Sequence, residues 1–155
     1  MMNKIISLSI VLTVLCSCQS KNIVFEENQQ LSPGLEWLTK DIKTFNFESK
    51  DSKTNYKSYL LFRFVDGFKY KSFKVKVTQI SPSNIEKSTI VNLKIINDNG
   101  EYIGEPALDI WDSEHVINEN LSFSENGQYK FKIESLFPSE SLPSAMEIGL
   151  RIEKK

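Results

Sequence analysis

Apolar and polar residues alternate with a period of two along most of this chain. Phe73, Val75 and Val77 are interleaved with Lys74, Lys76 and Thr78, and Val91, Leu93 and Ile95 with Asn92 and Lys94. Tyr129, Phe131 and Ile133 alternate with Lys130, Lys132 and Glu134, and Ile148, Leu150 and Ile152 with Gly149, Arg151 and Glu153. Weaker versions run through Phe45 and Phe47, and through Ile117, Leu121 and Phe123. Successive side chains of a strand point to opposite faces, so each run predicts a strand with one buried and one wet face. Residues 56–65 are apolar on both faces except at Lys57, Ser58 and Arg63, which predicts a central strand. Turn-forming clusters separate the runs: Asp66-Gly67, Ser81-Pro82-Ser83-Asn84, Asn97-Asp98-Asn99-Gly100, Glu125-Asn126-Gly127 and Pro138-Ser139. Past the N-terminal segment, the one helical turn expected lies within residues 107–114. The pattern predicts an all-β domain, an antiparallel β-sandwich of seven to eight strands with immunoglobulin-like or jelly-roll-like winding.

The N-terminus breaks this pattern. Lys4 precedes an apolar run at residues 5–15, which closes on Leu15-Cys16-Ser17-Cys18. A basic residue, a short apolar core and small residues leading to a cysteine have the layout of a bacterial secretory signal ending in a lipoprotein processing site. The run falls well short of the roughly 20 residues that span a bilayer, which argues against a transmembrane anchor. Cys18 is the residue placed for lipidation. Ser17 precedes it, whereas Leu15 before Cys16 is too large for the extended, small-sided approach a peptidase needs. The expected organisation is a signal peptide at 1–17, a lipidated N-terminus and polar tether at 18–34, and a β-sandwich at 35–155. Asn28-Gln29-Gln30 and Ser32-Pro33-Gly34 mark the tether. Diacylglycerol and an N-acyl chain on Cys18 are the expected covalent additions, since two or more acyl chains make membrane attachment stable. Gln19, rather than an aspartate, follows the cysteine, and no acidic cluster comes after it. The expected address is therefore the periplasmic face of the outer membrane.

Cleavage after residue 17 leaves 138 residues, with 18 basic against 20 acidic side chains once Lys4 is gone. That size supports one domain burying roughly two-thirds of its unfolded surface, and the near balance of charge argues against a polyanion binder. With Cys16 removed and Cys18 alkylated, no free thiol is left. Disulfides, thiolate catalysis and cysteine metal sites are excluded together, and the core alone must stabilise the domain. Ten phenylalanines, five tyrosines and two tryptophans predict that this core is heavily aromatic.

Candidate chemistry is sparse. His115 is the one histidine. A single imidazole without cysteine builds a zinc site only if several carboxylates converge on it, so an exposed polar role is expected. Asp109, Asp112 and Glu114 form the densest acidic cluster, but their spacing does not match a calcium loop and Trp111 interrupts it. No nucleophile elbow or phosphate-binding loop is present. The expectation is no enzyme, no cofactor and no metal. The basic-aromatic alternation Phe62-Arg63-Phe64 and Phe68-Lys69-Tyr70-Lys71 has the form of a nucleic-acid stacking surface, yet export removes that ligand. Lys69, Lys71, Lys74 and Lys76 are read instead as edge protection or as contacts to an acidic partner. Asn126-Gly127-Gln128-Tyr129 has the form of a tyrosine corner, in which a hydroxyl returns to nearby backbone, or of an ordinary hairpin. Trp37 and Trp111 are expected in the core. Exposed, they would with Tyr102 offer stacking platforms for sugars.

The C-terminal third carries a resemblance. Gly127-x-Tyr129-x-Phe131-x-Ile133, then Leu142-Pro143, then Ile148-Gly149-Leu150-Arg151-Ile152-Glu153-Lys154 resembles the gliding-motility lipoprotein GldH family. Tyr59, Arg63, Tyr70 and Phe73 fall where that family carries a strand, an arginine and a tyrosine-rich turn. Asp98-x-Gly100-x-Tyr102-x-Gly104, followed by Asp109-Ile110, is similar to its central glycine-containing loop. Tyr102 stands where the family usually has tryptophan, Glu105-Pro106-Ala107 replaces further glycines, and Leu136-Phe137-Pro138 follows where a Met-Arg pair is usual. The resemblance implies a non-enzymatic outer-membrane lipoprotein of the gliding machinery, linked to type IX secretion of adhesins. Its partners would be the membrane and other motility or secretion proteins, not nucleic acid or a small-molecule substrate. Only Cys18 carries over as a site residue, and no contact surface is assigned. The alternative is a lipid-anchored glycan-binding module of a nutrient-uptake system.

Overall fold

The computed structural model describes residues 22–155; the expected signal peptide and Cys18 lie outside the described residues. Eleven strands follow one another: β1 (Ile23–Gln30), β2 (Glu36–Leu38), β3 (Lys43–Ser49), β4 (Asn55–Val65), β5 (Ser72–Ile80), β6 (Glu86–Lys94), β7 (Glu105–Ala107), β8 (Ile110–Ser122), β9 (Gly127–Ser135), β10 (Ser141–Pro143) and β11 (Ala145–Lys154). Three of these, β2, β7 and β10, have only three residues each. The other eight are the predicted long strands plus β1. No described residue is helical.

The strand order decides between the two windings. One sheet runs β1-β11-β4-β8-β7 and the other β3-β9-β5-β6, with β10-β2 as a small separate ribbon. Among the eight long strands the first pairs with the last (β1 with β11), the second with the seventh (β3 with β9), the third with the sixth (β4 with β8) and the fourth with the fifth (β5 with β6), all antiparallel. This is a long two-stranded ribbon rolled up on itself, the jelly roll, which hides most strand edges within two sheets. β4 lies between β11 and β8, the central position its two-sided apolar sequence predicts.

Period-two alternation places the core between the sheets. Leu60, Phe62 and Phe64 from β4 and Ile148, Leu150 and Ile152 from β11 are buried against Phe45, Phe47, Val75, Val77, Phe131 and Ile133 of the opposite sheet. Each such side chain contributes about 1.5–3 kcal/mol on full burial. Phe62 and Phe73 meet across the sandwich at 5.0 Å between ring centroids, edge to face.

Three expectations require correction. The polar tether was expected to extend through residue 34, but residues 23–30 are the edge strand β1, paired with β11. Its only inward side chains of note are Phe25 and Gln29, and Gln29 Nε2 donates to Thr44 O at 2.8 Å. A polar group fills an inward position, so the hydrophobic period disappears. Residues 107–114 form no helical turn; β7 and β8 make a tight hairpin with Leu108 at its tip. Lys74 and Lys76 protect no edge, because β5 is an inner strand between β9 and β6. Both point outward, and Lys76 pairs with Glu134 at 3.5 Å.

The two ends of the sandwich differ. At one end, the foot, tight turns at 50–54, 81–85 and 123–126 join the strands. Both ends of the described chain meet there: Lys154 N donates to Asn22 O at 2.8 Å and Lys155 N to Asn55 O at 3.0 Å. The opposite end, the head, carries the long connections 31–42, 66–71, 95–109 and 136–144, which contain β2, β7 and β10.

Candidate functional site

Residues brought forward by the sequence sort onto two places, the outer face of the five-stranded sheet and the head. On the outer face, β4 directs Tyr59, Leu61 and Arg63 away from the core, opposite Val116, Glu114 and Asp112 of β8 and Arg151, Gly149 and Glu147 of β11. Arg63 donates from Nε and Nη2 to the two carboxylate oxygens of Asp112 at 2.7 and 3.0 Å, and from Nη1 to Glu147 at 3.3 Å. Arg151 repeats the fork toward Glu114 at 2.6 and 2.7 Å. Its Nε lies 2.8 Å from Glu153 Oε1. Neither of those two buried atoms is in hydrogen-bond geometry, so that contact is charge pairing alone. The guanidinium also sits 4.6 Å from the centre of the Tyr59 ring, a cation–π contact.

Arg151 is only 5% exposed, and the backbone explains how a charge is accommodated there. Gly149 carries no side chain, so β1 closes down on β11. A Cβ at Gly149 would overlap Asn28 Oδ1 and would stand 2.9 Å from Glu27 O. β1 thereby brings Glu26 opposite Arg151. Hydrogen bonds to Asp112 raise the Arg63 pKa, and those to Glu114 raise that of Arg151, so both stay charged at every accessible pH. Asp112, Glu114, Glu147, Glu26 and Glu153 outnumber the two arginines, leaving an acidic depression of about 210 Å³ between the two pairs.

This geometry answers the acidic-cluster question. Asp112 and Glu114 point to one face, as residues two apart on a strand must, and each is committed to an arginine. Asp109 lies in the β7–β8 turn, where its carbonyl accepts from Asp66 N at 2.7 Å. Among the described residues no group of three or more His, Cys, Asp or Glu is placed to hold a metal ion. His115 faces the other way, toward the core, with Nε2 3.0 Å from Ser113 Oγ. The expectation of an exposed histidine is therefore corrected: burial lowers its pKa to about 4, against a smaller opposing pull from Glu114.

The head is a braced platform. Tyr102 Oη accepts from Gly67 N at 2.9 Å and donates to Phe68 O at 3.0 Å, tying the 95–109 connection to the 66–71 turn. Gly104, at φ +144°, lets the same connection lie on β8, where a Cβ would overlap Asp112 O. The β2–β10 ribbon pairs Trp37 with Leu142, and Tyr70 packs on Phe137 at 4.7 Å. A groove of about 510 Å³ opens beside that pair, lined by Tyr70, Phe73, Leu136, Phe137 and Pro138 among others.

The tryptophans do not form sugar platforms. Trp37 is fully buried and its Nε1 donates to Asp41 O at 2.9 Å. Trp111 is half-buried and lies at 58° to Tyr102, whose ring also packs against Phe64. No coplanar exposed pair results, and the glycan-binding alternative loses the feature that suggested it. Tyr129 behaves as a corner residue: its hydroxyl donates to Glu125 O and accepts from Glu125 N, both at 3.2 Å. The Arg63 and Arg151 pairs were not predicted. The signal was a charged residue inside an otherwise apolar central strand.

These features define a jelly-roll domain with a charged, ion-paired face and an interlocked loop platform, a class built to present surface. The comparisons place it further. The GldH lipoprotein family model matches residues 23–152, so the chain belongs to that family. A protein of Christiangramia forsetii described as a gliding motility lipoprotein GldH homolog is 25% identical over 146 residues, covering 89% of this chain and 87% of that one. The motif residues acquire roles in this light. Ile148, Leu150 and Ile152 are core, Gly149 admits β1, and Arg151 anchors the charged face.

Proposed function

We propose that this protein is an outer-membrane lipoprotein, held on the periplasmic face by lipid on Cys18. It acts as a non-enzymatic structural or assembly component of the gliding machinery, linked to type IX secretion of adhesins. The observation that carries this reading is the match to a family of gliding-motility lipoproteins across nearly the whole domain. The arrangement of the site supports it: the charged groups are tied to one another in forks, and the longest connections are braced into one platform. Such a body works by position. The lipid confines it to a plane, which raises its effective concentration for partners in the same membrane.

Deleting the gene in its host tests the proposal when spreading, adhesin secretion and growth on polysaccharides are scored together. Loss of spreading and secretion with normal polysaccharide growth is expected. Normal motility, or a defect confined to polysaccharide use, would refute it. Complementation with Cys18→Ser is expected to fail, with no incorporation of labelled palmitate and loss from the outer-membrane fraction. Crosslinking in whole envelopes is expected to capture motility or secretion components, and capture of abundant porins alone would count against the assignment.

A further inference from the structure

We infer that the sandwich stands upright on the bilayer, with its foot against the lipid headgroups and its head turned away from the membrane. This rests on the reading of Cys18 as the lipid site. Three residues separate Cys18 from Asn22, so the path between them spans at most about 14 Å even when fully extended. Asn22 is fixed at the foot through its carbonyl, which accepts from Lys154 N. The lipid can therefore lie only a short distance from that end. β4, at 11 residues, traverses about 35 Å, so the braced loops lie beyond the reach of so short a link.

The foot is chemically suited to such a surface. Ile23, Val24 and Ile85 are exposed there at 43%, 46% and 60%, although most large apolar side chains of the domain are in the core. Lys50, Lys53, Lys154 and Lys155 are exposed around them. The acidic residues of two foot turns face back onto the protein. Asp51 accepts from Lys53 N at 2.9 Å and Thr54 Oγ1 at 2.6 Å, and Glu125 from Ser83 N at 3.1 Å and Ser83 Oγ at 2.6 Å. Exposed apolar side chains ringed by lysines match the boundary between acyl chains and anionic headgroups. Of the two broad sheet faces, the five-stranded one is acidic and would be repelled. The four-stranded one carries Lys74, Lys76, Lys130 and Lys132 beside the exposed Ile90, and the short link from Cys18 is what favours the foot over it. Leu35, Ile42, Leu108 and Leu136 are exposed at the head as well, so the tether length selects the end and the chemistry of the foot is compatible with it.

The test uses the full-length, lipidated protein in vesicles of phosphatidylethanolamine and phosphatidylglycerol. Because its only other cysteine, Cys16, is removed with the signal, a single introduced cysteine gives a clean labelling site. Fluorophores are placed singly by Lys53→Cys at the foot, Leu108→Cys at the head, and Asn46→Cys and Val116→Cys on the two faces. Quenching by spin-labelled headgroups is then compared. Several-fold stronger quenching at Lys53→Cys than at the other three is expected, with none at Leu108→Cys. A face label quenched most, or head and foot quenched alike, would overturn the orientation. A second measurement tests the foot surface itself. Combining Val24→Ser, Lys53→Glu and Lys154→Glu should leave flotation with vesicles intact while a label at Lys155→Cys loses several-fold of its quenching. Unchanged quenching would mean that the foot makes no lipid contact. Protein that incorporates no palmitate and does not float overturns the anchor at Cys18, and the orientation with it. Protein that floats but lies flat overturns the orientation alone.

Discussion

His115 shows how much one side chain depends on which way its strand faces. In the folded domain its pKa is about 4, because burial disfavours the charged ring; unfolded, it returns to about 6.5. Above that value both states are neutral and the residue has no pH effect. As pH falls through the window between the two values, the unfolded chain takes up a proton that the folded domain refuses, so stability declines and levels off below the folded value. Between pH 7 and pH 5 the expected loss is about 2 kcal/mol, and His115→Gln should remove it. Urea midpoints at the two pH values check this, and an unchanged difference in the variant would assign the pH dependence elsewhere. Tyr129 is a second case. Tyr129→Phe leaves both backbone groups of Glu125 without their partner, and a loss of about 1–2 kcal/mol is expected by chemical denaturation. A change near zero would show that the hydroxyl is dispensable.

Between strands, the most consequential contact is that of β1 on Gly149. Gly149→Ala should cost about 1–3 kcal/mol, since the new methyl must displace both Asn28 and the β1 backbone. Hydrogen exchange should quicken throughout β1 and little elsewhere. Adding Asn28→Ala should recover part of the loss, because the Asn28 overlap is relieved while Glu27 O remains close. Uniform exchange across both sheets would contradict this local account. The Arg151 pairs are the other case. Arg151→Met leaves the largely buried Glu153 without this counter-charge, and takes one partner from Glu114 and from Glu26, which are 46% and 40% exposed. Since two of the three acids remain half in water, a loss of about 2–3 kcal/mol is expected, below the range for fully buried pairs. A double-mutant cycle with Glu153→Gln should show a coupling of the same sign, and strict additivity would mean that the two side chains act independently.

Taken as a molecule, the roll sets the folding behaviour. Ile23 pairs with Glu153, so the outermost strand pairing closes almost the entire described chain. Loop-closure entropy must be met before such pairings stabilise anything, and sandwiches of this kind fold in about milliseconds to seconds. Refolding on that timescale, measured by tryptophan fluorescence, is expected. Microsecond folding would imply that local contacts dominate. The ribbon also explains the contrast between the ends: short turns at the foot, and braced connections at the head where loops can carry recognition without disturbing the core.

The alternation of side chains was sufficient to determine that this is an antiparallel all-β domain and that residues 56–65 form its centre. Those properties follow from the period of two and from burial, which each residue reports locally. The layout at Cys18 and the closing Ile148–Lys154 motif pointed in the same way to a lipoprotein family. Only tertiary structure decided the rest. β1 has a polar inward residue and lies on a glycine, so it leaves no hydrophobic trace. His115 turns inward because it stands opposite Leu60 of β4, on the same face of β8 as Ser113. The choice of jelly roll over immunoglobulin winding is a matter of which strands pair, and strands with one wet face are interchangeable until side chains such as Phe62 and Phe73 meet across the core. Arg63 and Arg151 find their carboxylates because three strands distant in the chain lie side by side. Charge pairing is a property of that proximity, and no single segment contains it.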